Sequence, residues 1–116
     1  MFKAELIKAV KDGETLIQGC DLSNGDYQGA DLGGGIFESV IFANADLRGA
    51  KLKECKFINC DFTGAKLDGA NLVLANFIGP KGEGISLNSC DMRLANFIDA
   101  AFDYADLSNT NLETTN

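Results

Sequence analysis

Residues 45–79 read ADLRG AKLKE CKFIN CDFTG AKLDG ANLVL ANFIG. Seven units of five residues follow one another without a slip, and the same phase runs outward from Thr15 to Thr114 as twenty consecutive units. The third residue of each unit, its centre, is apolar in nineteen of the twenty: nine Leu, seven Phe, Ile17, Tyr27 and Met92, with Gly82 the exception. The first residue is small in seventeen units, the others carrying Val40, Pro80 and Ile85, and the second is Asp or Asn in eleven. A period of five matches neither the 3.6-residue repeat of a helix nor the two-residue repeat of a strand. It requires a solenoid whose first and third positions face inward and whose other positions face solvent.

Residues twenty apart sort by type. The first column of centres reads Ile17, Phe37, Phe57, Phe77, Phe97 and the second Leu22, Phe42, Phe62, Gly82, Phe102. The third reads Tyr27, Leu47, Leu67, Leu87, Leu107 and the fourth Leu32, Leu52, Leu72, Met92, Leu112. Phenylalanine thus occupies two columns and leucine dominates the other two. A plain period of five does not require that sorting, whereas four units per turn of a coil does.

With these residues the chain resembles the pentapeptide-repeat family, whose pattern is A(D/N)LXX. The resemblance covers residues 15–114 and implies an all-β fold, a right-handed quadrilateral parallel β-helix with one unit per face. Twenty units then make five coils, 15–34, 35–54, 55–74, 75–94 and 95–114, a rod roughly 24 Å long at ~4.8 Å per coil. Residues 1–14 are expected to form a short capping helix, with Phe2, Leu6, Ala9 and Val10 on one stripe and Gly13 as its stop. Residues 115–116 are a tail. Nothing comparable to the helix is expected over the last coil.

Charge and composition exclude several function classes. Ten Lys and Arg stand against 17 Asp and Glu, a net charge of -7, which repels nucleic-acid phosphates and anionic membrane. There is no histidine, so the commonest general base and zinc ligand are both missing. No stretch approaches the ~20 apolar residues of a membrane span, and the charged start MFKAELIKAVKDGE lacks a signal-peptide core. The chain is read as cytoplasmic. The four cysteines, Cys20, Cys55, Cys60 and Cys90, all occupy first positions; their spacing follows the repeat, and they read as small buried thiols. The second-position Asp and Asn read as side chains bonding nearby turn amides. No catalytic constellation, cofactor site or metal site is found, and no enzyme is expected.

Three features stand out from the scaffold. Pro80, Lys81, Gly82 and Glu83, within Gly79–Gly84, break the pattern and are expected to bulge out as a loop, with Ile85 or Ile78 filling the gap in the phenylalanine column. Ile58, Ile78 and Ile98 stack at an outward position of three consecutive coils, beside Val73, Leu74 and Leu94, forming an apolar stripe that is expected either to be an interface or to be covered by the 79–84 loop. The last coil carries Asp99, Asp103, Asp106 and Glu113 and no Lys or Arg. The expected role is a non-enzymatic interaction or scaffold module of unknown protein partner, self-associating as a homo-oligomer through the last coil or the isoleucine stripe, with no direct nucleic-acid or membrane contact. The family resemblance implies an alternative: an acidic rod that mimics duplex DNA toward a type II topoisomerase such as gyrase, although Lys51, Lys53, Lys56 and Lys66 interrupt the acidic surface.

Overall fold

A centre side chain can point into the rod only if the peptide groups around it pair along the stack, because an unpaired buried peptide group costs about 1–3 kcal/mol. The chain, described in a computed structural model over residues 1–13, 16–113 and 115, meets this with one repeated pattern. The amide of each centre donates to the second-position carbonyl of the following coil, as Leu22 does to Ile41, Phe42 to Asp61 and Phe62 to Lys81, each at 2.7 Å. The second-position amide of the later coil donates back, Ile41 to Cys20 and Asp61 to Val40.

On the first face this pairing yields five short strands: β1 (Leu16–Gln18), β2 (Ile36–Glu38), β3 (Lys56–Ile58), β4 (Asn76–Ile78) and β5 (Asn96–Ile98). They form one parallel sheet in sequence order, with Ile17, Phe37, Phe57, Phe77 and Phe97 in register. The other three faces are columns of parallel bridges at the same twenty-residue offset, such as Asp21, Ile41, Asp61, Lys81 and Ala101. The fold is therefore a parallel β-solenoid with five rungs on each face, as the column sorting requires.

The corners come from the fifth position. Every fifth position from Gly19 to Asn109 has φ between +52 and +76°. Glycine adopts this left-handed backbone freely, and Asn and Asp tolerate it. The carboxylates and amides at second positions close the turns from outside, for example Asp61 Oδ1 accepting from the Thr63 amide at 2.9 Å and Asn71 Oδ1 from the Val73 amide at 3.0 Å.

Inside, the aromatic columns interlock. Phe57 stacks between Phe37 and Phe77, at centroid distances of 5.3 and 4.8 Å, and meets Phe42 and Phe62 edge-on at 6.1 and 5.1 Å. The segment expected to bulge does not. Lys81 bridges Asp61 and Ala101, Gly82 and Gly84 donate to Ala101 and Asp103, and Pro80 and Gly82 are buried. Proline fits because it stands at the corner between the first and second faces. At the equivalent Val40 and Cys60 the amide makes no turn hydrogen bond, whereas Ala45, Ala50 and Ala65 donate to the centre three residues earlier. The space beside Gly82 is filled by Phe102, whose ring a Cβ at Gly82 would meet at 2.5 Å or closer. Phe42 and Phe62 each contact a ring of the following coil, but Phe102 leans back to Phe77, 6.2 Å away.

The helix α1 (Lys3–Lys11) lies against the first coil with Leu6 and Val10 buried and Ile7 and Ala9 packed at the edge. Gly13 follows at φ +86°, the left-handed stop expected of it. Phe2 departs from the predicted stripe and is 81% exposed. It is the N-cap, with extended φ -81° and ψ 159°, so helical periodicity does not reach it. The expected ends of the helical segment and the first coil, Glu14 and Thr15, lie outside the described residues, as do Thr114 and Asn116 at the other end.

Phe57→Ala removes a ring that meets four others in the interior and is expected to destabilise the fold by about 3–5 kcal/mol in chemical denaturation. A loss below about 1 kcal/mol would contradict the stacked arrangement.

Candidate functional site

Burial is uniform through four coils and fails in the fifth. Centres from Ile17 to Met92 are at most 5% exposed. In the last coil Phe97 and Phe102 are only partly covered, and Leu107 and Leu112 reach 47% and 48%. The last coil carries a cup of about 130 Å³ lined by Leu87, Met92, Phe97, Phe102, Leu107, Leu112 and Thr115, whose hydroxyl donates to the Met92 carbonyl. The amides of Phe102, Tyr104, Leu107 and Asn109 have no next-coil carbonyl among the described residues, unlike their counterparts in earlier coils. Asp99, Asp103, Asp106 and Glu113 are exposed around this end. Asp106 turns its carboxylate onto the Ser108 hydroxyl and amide, and these hydrogen bonds hold it below the usual carboxylate range.

The apolar stripe lies on the first face and the corner before it. Ile58, Ile78 and Ile98 are paired in register across β3, β4 and β5, the first two half-buried and Ile98 50% exposed. Leu74 and Leu94 occupy fifth positions and are 40% and 48% exposed; Val73 is half-buried. Between the two apolar columns runs an amide ladder, Asn96 Nδ2 donating to Asn76 Oδ1 at 2.9 Å. No charged side chain belongs to these rungs of β4 and β5.

Sequence reasoning missed what makes Leu74 and Leu94 unusual. Both have left-handed backbone, φ 63° and 62°, where glycine fills eight of the corresponding corners. A branched apolar residue there costs about 1–2 kcal/mol relative to glycine. These leucines therefore combine backbone strain with exposed apolar surface, and Tyr104, φ 59° and 87% exposed, does the same in the last coil. The available signal was the abundance of Gly and Asn at the fifth position, against which two leucines and a tyrosine stand out.

The remaining surface carries mixed charge. Asp31 bridges Lys51, Asp46 bridges Lys66 and Asp61 bridges Lys81, so three columns place a lysine one rung above an aspartate. Arg48 and Arg93 clasp Asp46 and Asp91 at 2.6 Å and hold both carboxyls below their usual range. A shallow depression of about 520 Å³ over Gly33 and Gly34 is bordered by Asp31, Lys51, Lys53 and Glu54. No single-sign track runs along the middle of the rod.

The thiols of Cys55, Cys60 and Cys90 are buried and donate to carbonyls 23 residues earlier: Leu32 at 3.0 Å, Phe37 at 3.3 Å and Leu67 at 2.9 Å. Burial pushes Cys55 up to about 12 and Cys60 and Cys90 up to about 11. Cys20, in the first coil, is only partly covered. All four are free thiols.

A family model for pentapeptide repeats matches the chain in eight copies, over residues 17–57, 55–80 and 83–116. Among solved structures, a pentapeptide repeat protein from the thylakoid lumen of Arabidopsis thaliana superposes with a TM-score of 0.54 at 21% identity, covering 83% of this chain and 64% of that one. A trypsin-treated variant of QnrB1, a plasmid-mediated fluoroquinolone resistance protein, superposes with a TM-score of 0.52 at 24% identity, covering 86% of this chain and 54% of that one. The chain thus spans less than two thirds of the length of either, and the likeness is one of fold. No curated protein matches the sequence.

With a thiol reagent at pH ~8, where an ordinary cysteine is partly ionised, Cys20 alone is expected to react in the native chain. The other three should become reactive only on unfolding. Rapid labelling of all four in the folded state would contradict the burial described.

Proposed function

The chain belongs to the pentapeptide-repeat family, and on that footing we propose that it is a non-enzymatic protein-interaction module that self-associates through the apolar stripe of its last three coils. The observation that carries this reading is the pair Leu74 and Leu94. Each holds a strained left-handed backbone and an exposed apolar side chain at once, and strain of this kind concentrates where a surface is used. Ile78 and Ile98 extend the same patch, and the Asn76–Asn96 ladder gives its centre polar groups already hydrogen-bonded to each other.

A second copy suits the stripe because two uncharged faces meet without like-charge repulsion, whereas two acidic last coils apposed end to end would repel. The patch spans only two or three rungs, ~4.8 Å apart, well short of the ~800 Å² per partner of a standard interface. Association is therefore weak and concentration-dependent. The DNA-mimic reading has less support: net charge and the acidic last coil favour it, but lysines stand over aspartates in three columns and interrupt an acidic track.

Light scattering across a concentration series should show dimer growing in at high micromolar protein, with Leu94→Lys and Ile98→Lys each returning the chain to monomer. A monomer at every concentration, or a dimer indifferent to both substitutions, would overturn the proposal.

A further inference from the structure

Second-position carboxylates and amides close the turns of this solenoid, and on the fourth face one turn lacks its acceptor. Asp31 Oδ1 accepts from the Gly33 amide at 3.3 Å, Asn71 Oδ1 from the Val73 amide at 3.0 Å and Asp91 Oδ1 from the Arg93 amide at 3.3 Å. In the second coil Lys51 stands in that column, and the Lys53 amide has no acceptor among the described residues. Lysine also replaces the acceptor at Lys66 and Lys81, which leaves the amides of Asp68 and Glu83 in the same state. In those two turns the residue with the free amide is itself an acid and repels an anion. Beside Lys51 it is a second lysine.

The surroundings of Lys53 differ as well. Gly33 and Gly34 lie one rung below Lys53 and Glu54 and carry no side chain, which opens the depression of about 520 Å³ bordered by Asp31, Lys51, Lys53, Glu54 and Asn71. Lys51 and Lys53 stand two residues apart, project from the same side of the chain and are exposed. Lys56, exposed around the corner, brings a third ammonium group. Among the described residues no carboxylate lies within ion-pair distance of these three. Both oxygens of Asp31 are already engaged, Oδ1 by the Gly33 amide and Oδ2 by Lys11 Nζ at 3.9 Å.

We propose that this depression is a docking site for an acidic segment of a partner protein, one of whose side-chain carboxylates takes the place of the missing acceptor on the Lys53 amide while Lys51 and Lys53 close on it. The site rests on the reading of the chain as an interaction module and lies away from the stripe, on the fourth face of the first three coils. Asp31 and Asp91 show that a carboxylate oxygen fits against this turn. A segment suits the site better than a free ion, because a single exposed ion contact is weak and the depression leaves room for neighbouring residues, with Lys56 placed to meet a second acid. The net charge of -7 does not prevent this. At physiological salt the field of distant acids is screened beyond about 8 Å, so a carboxylate in the depression meets the lysines first.

The probe is a glutamate tetrapeptide, acetylated and amidated so that only its side chains are charged, titrated into the full chain labelled with nitrogen-15. The Lys53 amide resonance should move downfield as it gains an acceptor, with Lys51, Gly33 and Gly34 following. Affinity should fall as salt rises from about 0.15 to about 0.5 M, and the glutamine tetrapeptide should shift nothing. Lys51→Asn supplies the acceptor that Asn71 provides one coil further on, and should abolish binding. Lys51→Ala removes the charge without an acceptor and should only weaken binding several-fold, while Lys81→Asn, the same change at another exposed turn, should leave it intact. No shift at Lys53, shifts spread over every lysine-bearing rung, or equal losses in Lys51→Asn and Lys81→Asn would overturn the proposal. So would inorganic phosphate moving Lys53 as far as the peptide does at the same concentration, which makes the depression a small-ion site. A Lys53 shift that grows with protein concentration alone makes a second copy the occupant and overturns it too. The stripe is read out separately by the effect of Leu94→Lys on association, so loss of peptide binding with association intact removes this inference alone, and loss of both removes the interaction reading as well.

Discussion

The structure depends on keeping a twenty-residue register between coils. Three ladder hydrogen bonds per face and one inward centre per face are fixed by the same offset, so a slip of one residue would unpair the backbone and turn the centres outward together. Side-chain stacking and backbone pairing therefore reinforce each other, and neither has to be strong alone. The interior carries no buried charged group among the described residues. What specifies it is shape: two columns of rings that interleave, and two columns of leucines.

That regularity explains how the chain absorbs its irregular unit. Gly82 removes one centre, yet the backbone around it keeps the register because the ladder bonds of Lys81, Gly82 and Gly84 do not need that side chain. The vacated volume is taken by Phe102 from the following coil. Phe102 is drawn back against Phe77 of the preceding coil.

Much of this was present in the sequence because inward positions are chosen for volume and every fifth residue reports one. The sorting of Phe and Leu at twenty-residue spacing identified the coil, and Leu6, Val10 and Gly13 identified the lid and its stop. The reading failed where a residue's role is set by backbone rather than by side-chain type. Pro80 and its glycines suggest a loop by composition, but the corner between the first and second faces uses no first-position amide, so proline is harmless there. Phe2 suggested a core contact, yet it precedes the first helical turn. The stripe of Ile58, Ile78 and Ile98 was visible as a pattern, while the strain at Leu74 and Leu94 needed the dihedral angles. The identity of a partner is not encoded in packing at all, since a solenoid surface tolerates any residue that leaves the core intact.

Ladder hydrogen bonds close the first four coils, and in the last coil the amides of Phe102, Leu107 and Asn109 lack these acceptors among the described residues. Amide hydrogen exchange on the dilute chain tests it directly, because protection follows the hydrogen bond and its local opening. The amides of Phe42, Phe62 and Leu67, which donate to the coil beyond them, should exchange only by global unfolding. Those of Phe102, Leu107 and Asn109 should exchange almost as fast as in an unfolded chain. Equal protection of the last coil and the middle coils in the dilute chain would contradict an unpaired last coil.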